Sequence, residues 1–85
     1  MKKVIIYTGD RCVHCDWAID LLQSKNIKFT EYNIAQNTEK REEMLNRSNG
    51  ARTVPQIFID EYHVGGNREL QALNREGKLN SLLGI

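Results

Sequence analysis

Eighty-five residues carry twelve Lys plus Arg against eleven Asp plus Glu, a formal charge of +1, with 40% hydrophobic and 27% charged residues. A chain of this size and balance has room for one compact core, so a single domain over 1–85 is expected and disorder is disfavoured. Basic and acidic residues are interspersed, which excludes a nucleic-acid stripe or a membrane patch as the basis of function.

Met1-Lys2-Lys3 is followed by only Val4, Ile5 and Ile6 before Tyr7 and Thr8. That is too little apolar chain for a signal peptide or a membrane span, so a cytoplasmic monomer without nucleic-acid or membrane partners is expected. Val4 to Thr8 is β-branched and aromatic and ends at Gly9-Asp10, the pattern of a buried strand and a turn. From Val13 to Lys25 the apolar residues Trp17, Ala18, Leu21 and Leu22 share one helical face, with Trp17 read as a core or rim position. Lys28 to Ile34 reads as a second strand of imperfect alternation. Asn37-Thr38 caps a charged helix over Glu39 to Arg47, whose apolar contacts are Met44 and Leu45 and whose Lys40-Arg41-Glu42-Glu43 reads as a solvated face.

Thr53-Val54-Pro55 leads into Gln56-Ile57-Phe58-Ile59, a third strand, and Asp60-Glu61 turns the chain into an antiparallel Tyr62-His63-Val64. His63 on this short strand is read as structural. Gly65-Gly66 breaks the strand, and Asn67 caps a helix from Arg68 to about Arg75, with a short terminal helix after Lys78. The order β-α-β-α-β-β-α implies an α/β protein with a four-stranded mixed sheet covered by helices on both faces.

Both cysteines fall in one tetrapeptide, Cys12-Val13-His14-Cys15. A bond between them closes a ring too small to restrain the unfolded chain, so the pair is either a redox dithiol or half of a metal site. Zinc needs two further ligands, and only His14, inside the pair, and the distant His63 are available, so no metal is expected. Haem attachment needs a His directly after the second Cys, where Asp16 stands.

Only a thiolate attacks a disulfide, and an ordinary thiol is about 3% ionised at neutral pH. Cys12 at the corner between strand and helix would face the free N–H groups of the first turn. A helix terminus supplies about 0.3 to 1 kcal/mol, rarely 2, so hydrogen bonds and a cation must complete the effect. The expected donors are the His14 and Cys15 N–H groups and the Cys15 thiol, with Arg11 as the cation. Cys12 is therefore the expected nucleophile and Cys15, one turn inside, the resolving thiol.

Tyr7-Thr8 before the Cys12–Cys15 tetrapeptide, Thr53 to Ile59, and His63-Val64-Gly65-Gly66 stand in an order and spacing that resemble a small bacterial dithiol glutaredoxin, over nearly the whole chain. The resemblance implies a thioredoxin-like fold, a cis peptide before Pro55, a redox-active disulfide between Cys12 and Cys15, and glutathione as co-substrate. It implies that His14 flanks bound glutathione, that Thr53 and Val54 pair with its cysteinyl backbone, and that Pro55 holds that segment open near Cys12. Gly66 and Asn67 would take the γ-glutamyl carboxylate on backbone N–H groups, in the way helix starts hold anions. Partners would be glutathione, disulfide-containing or glutathionylated proteins and, indirectly, glutathione reductase. Three departures stand out: Val13 and His14 stand where the family usually has proline and an aromatic residue; the lysine that many relatives carry near Gly9 is missing, leaving the glycyl carboxylate to Arg11 or a base within Lys40–Arg52; and Arg68 stands where relatives often have an aspartate, with Glu69 beside it. Two other activities fit the same cysteines: a [2Fe-2S] carrier using Cys12 and glutathione, and a redoxin driven by thioredoxin reductase.

Overall fold

The computed structural model describes residues 2–85. Its elements are β1 (Val4–Thr8), α1 (Val13–Ser24), β2 (Thr30–Asn33), α2 (Thr38–Arg47), β3 (Gln56–Ile59), β4 (Tyr62–Gly65), α3 (Asn67–Arg75) and α4 (Leu79–Leu83). The strands form one sheet in the order β2-β1-β3-β4. β1 and β2 are parallel, while β1–β3 and β3–β4 are antiparallel. The expected four-stranded mixed sheet is therefore present, and α4 is the short terminal helix expected after Lys78.

Side chains alternate across a strand, so the two faces of the sheet are read directly from β1 and β3. Val4, Ile6, Ile57 and Ile59 point to one side, where they meet Ala18 and Leu22 of α1, Leu70 of α3, and Leu79 and Leu83 of α4. Ile5, Tyr7 and Phe58 point to the other and meet Met44 of α2 and Ile34. Both central strands are buried along their whole length, as a sheet with two covered faces requires. Each fully buried Leu or Ile contributes about 1.5 to 3 kcal/mol, and the larger cluster holds most of them. Among the described residues no helix is long and apolar enough to cross a membrane.

Two local details depart from the expected pattern. β2 begins at Thr30 rather than Lys28, because its parallel ladder with β1 opens at Ile5–Thr30 and Phe29 instead packs against the larger core. α3 begins at Asn67, with Gly66 as the capping residue. Glycine has no side chain to cap with, and the Glu69 carboxylate reaches back to the Gly66 N–H at 2.7 Å instead. Trp17 is 52% exposed and lies outside the core, on the rim of α1.

Candidate active site

β1 ends at Thr8, and Gly9 to Arg11 turn the chain into α1, with Arg11 in the left-handed region at φ 51°. This turn leaves Cys12 as the extended capping residue of α1, φ −116° and ψ 98°, with its sulfur accepting the Cys15 N–H at 3.1 Å. Cys12 is half-buried, whereas Cys15, one turn in, is 2% exposed. The two are joined in a disulfide with Cα atoms 5.2 Å apart. Of the donors expected around Cys12, the Cys15 N–H is in place; the His14 N–H makes no hydrogen bond to the sulfur. Arg11 is exposed and forms no ion pair among the described residues. His14 is also exposed, its ring edge-on to Trp17 at 5.1 Å.

The segment before β3 comes against this corner. The Val54–Pro55 peptide is cis, as expected, and the Val54 carbonyl oxygen lies 3.7 Å from Cys12 Sγ. A disulfide sulfur carries no proton, so this is proximity rather than a hydrogen bond; the reduced thiol has the oxygen within reach. Val54 N–H has no hydrogen-bond partner among the described residues. Gly9 backs the segment: a Cβ there would stand 3.1 Å from Val54 Cγ2, a tighter approach than side chains ordinarily make. Gly66 lies on the other side, where a Cβ would come 3.5 Å from the Pro55 carbonyl oxygen. The structure thus gathers Cys12, Cys15, Val54, Pro55 and Gly66, with Thr53 and Asn67 adjoining.

The Gly66 N–H, expected to be open to an anion, is held by Glu69. Asn67 is buried and its side chain accepts from Gln71 Nε2 at 3.1 Å. A groove of about 460 Å³ runs beside it, lined by Trp17, Asp20, Leu21, Asn67 and Gln71. Among the described residues no group of three or more His, Cys, Asp or Glu is gathered for a metal ion.

A helix corner bearing a half-buried and a buried cysteine against a cis-proline edge is the arrangement the resemblance implies. The glutaredoxin family model matches residues 4–64. The chain belongs to the glutaredoxin family. It is 51% identical to glutaredoxin 3 of Escherichia coli K12 over 83 residues, covering 98% of this chain and 99% of that protein. It is 47% identical to a probable glutaredoxin of Synechocystis over 81 residues, covering 95% of this chain and 92% of that one. The solution structure of a glutaredoxin from Brucella melitensis superimposes with a TM-score of 0.82 at 48% identity, covering 98% of this chain and 89% of that one. A buckwheat glutaredoxin–glutathione complex, at 22% identity, shares the fold with a TM-score of 0.85 and covers 98% and 77%. As a glutaredoxin the protein is a thiol-disulfide oxidoreductase, glutathione-dependent like its homologues, with Cys12 and Cys15 as its disulfide-forming pair.

Between α2 and the sheet of this glutaredoxin lies a polar cluster that sequence reading missed. The buried Tyr7 hydroxyl donates to the Glu43 carboxylate, which also takes Lys40 Nζ at 3.1 Å, while Lys40 sits 3.9 Å over the Tyr32 ring. Glu43 and Lys40 thus turn inward from a helix expected to be solvated there, as an i,i+3 pair. Burial, and then the bond to Glu43, push the Tyr7 phenol above its usual range; the Tyr7 bond pulls Glu43 below the usual carboxylate range. A carboxylate so lowered contributes stability that is complete above the unfolded glutamate value, about 4.3, and is lost as pH falls through the lower folded value. Glu43→Gln is therefore expected to lower stability near neutrality and to flatten the acid limb of the stability–pH curve, so that variant and wild type converge as pH falls below the usual carboxylate range, measured by urea unfolding at several pH values. An acid limb unchanged in the variant would remove Glu43 from this role.

Proposed function

We infer that the protein reduces protein–glutathione mixed disulfides and protein disulfides at the expense of glutathione, with Cys12 as nucleophile and Cys15 as resolving thiol. The observation that carries this is the half-buried Cys12 sulfur 3.7 Å from the Val54 carbonyl, beside a Val54 N–H that no other described residue uses. A nucleophile and an open backbone edge then lie side by side, so a tripeptide paired to the edge presents its own sulfur to Cys12.

In the glutathione branch the Cys12 thiolate attacks the glutathione sulfur of a mixed disulfide. A Cys12–glutathione bond forms, the original S–S bond breaks, and the protein leaves as a thiolate that takes a proton. A second glutathione thiolate attacks the bound glutathione sulfur, giving glutathione disulfide and freeing Cys12. In the dithiol branch Cys15 attacks the Cys12 sulfur of a mixed disulfide, expels the substrate thiol and leaves the Cys12–Cys15 disulfide, which two glutathiones reduce. The Cys15 N–H at 3.1 Å is a donor that favours negative charge on Cys12.

Thr53, Val54 and Pro55 form the edge for the cysteinyl part of glutathione, and His14 flanks it. Gly66 and Asn67 receive the γ-glutamyl end once Glu69 swings from the Gly66 N–H, where its carboxylate is free to meet the ligand's amine. Exposed Arg11 meets the glycyl carboxylate. The protein works as a monomer of one domain in the reducing cytoplasm, on disulfide-bearing or glutathionylated proteins.

Reduction of a small glutathione mixed disulfide, coupled to glutathione reductase, tests this reading. Turnover is expected to require glutathione and to saturate with the mixed disulfide. Electrons accepted from thioredoxin reductase alone, with no response to glutathione, would overturn it.

A further inference from the structure

We propose that His63 is a positioning residue for the Thr53–Val54 edge, acting through the side chain of Gln56. Gln56, the first residue of β3, is 4% exposed and its amide is fully engaged. Nε2 donates to the Thr53 carbonyl at 3.0 Å and to Thr53 Oγ1 at 3.2 Å, and Oε1 lies 2.6 Å from His63 Nε2. The Thr53 carbonyl can only accept, which fixes the amide with its nitrogen toward Thr53 and its oxygen toward His63. That oxygen can also only accept, so His63 Nε2 must carry a proton, in the neutral Nε2–H tautomer or the imidazolium.

The ring is itself held in place. It stacks on Phe58 at 4.7 Å and 17°, and the Arg47 guanidinium lies 4.2 Å from the centre of the same Phe58 ring. Phe58 belongs to a central strand and is buried, so His63, although exposed on an edge strand, rests on a core residue of the sheet.

The Thr53 carbonyl and the Val54 N–H belong to one planar peptide unit, so fixing the first fixes the direction of the second. Thr53 and Val54 lie outside every strand, with no ladder to orient that plane. The His63–Gln56 bridge supplies the orientation and aims the unused Val54 donor. This rests on the reading above, in which that donor receives glutathione; the bridge itself is a property of the free protein.

The test uses His63→Phe, which keeps an aromatic ring on Phe58 and removes the donor, with His63→Gln as the variant that restores one and Gln56→Leu as the removal of the relay. In the coupled assay Gln56→Leu is expected to raise KM for the mixed disulfide by roughly five- to thirtyfold and His63→Phe by roughly three- to tenfold, with kcat within about twofold, as for lost hydrogen bonds to a binding element. His63→Gln should recover most of the loss, and His63→Phe combined with Gln56→Leu should be no worse than Gln56→Leu alone. In the ligand-free protein the Val54 amide should shift and gain mobility in NMR relaxation for both single losses. If wild type ignores glutathione while Val54 responds to the substitutions, the functional reading fails and the bridge stands. A Val54 amide indifferent to both variants, or additive losses in the double variant, overturns the proposal.

Discussion

Cys12→Ser is expected to bring glutathione mixed-disulfide reduction down to the uncatalysed background, a loss on the order of 10³-fold or more, as when other covalent nucleophiles are removed. A serine hydroxyl is not ionised at neutral pH and forms no disulfide, so neither branch of the reaction can begin. Cys15→Ser is expected to differ in kind. The glutathione branch needs only Cys12 and should keep a substantial part of its rate, while reduction of an intramolecular protein disulfide should stall with substrate trapped on Cys12. The buried position of Cys15, 2% exposed, behind the more open Cys12 is the basis of this asymmetry. The coupled assay with both substrates checks it, and mass spectrometry of the stalled Cys15→Ser protein should find the adduct. Equal loss in the two variants would contradict the division of labour.

Phe58→Ala is expected to cost about 3 to 5 kcal/mol of folding stability, the range for a buried phenylalanine. The layer under α2 is thin: Ile5, Tyr7, Ile34, Met44 and Phe58 are its buried residues. Phe58 meets Tyr7 edge-on at 5.8 Å, stacks on His63 and lies under Arg47. Domains of this size have total stabilities toward the low end of about 5 to 15 kcal/mol, so the variant should be close to unfolding, with Tm lowered on the order of 20 °C. Thermal and urea unfolding followed by circular dichroism measure it; a loss under about 1 kcal/mol would show that the sheet does not depend on this second face. Phe58→Leu, which conserves more volume, should cost roughly half as much.

The frame of the molecule was open to sequence reading because its strands and helices carry the local signals that fix them. Val4–Tyr7 and Ile57–Ile59 are continuous runs of aliphatic and aromatic residues, as strands in a sheet covered on both faces carry, and Asn37 accepts the Lys40 N–H at 3.0 Å as a capping residue should. The cysteine pair at a helix start is equally local. What escaped are relations between distant residues. That Glu43 serves Tyr7, 36 residues away, depends on how α2 lies on the sheet, and that His63 reaches Gln56 depends on the register of the β3–β4 hairpin; a charge in an exposed-looking helix gives no hint of the first. The start of α3 was misplaced by one residue because Asn67 has the chemistry of a cap, whereas Glu69 reaching back to Gly66 settles the matter in space.

The two outermost strands of the sheet are four residues each and differ sharply from the apolar pair between them. β2 offers Thr30, Glu31, Tyr32 and Asn33, and β4 is interrupted by a register shift opposite Ile57 and Phe58 and closed by Gly65 at φ 109°. Short, polar or kinked rims make poor templates for a further chain, so growth into stacked fibrils is discouraged at both open sides while the hydrophobic strands stay sequestered in the middle.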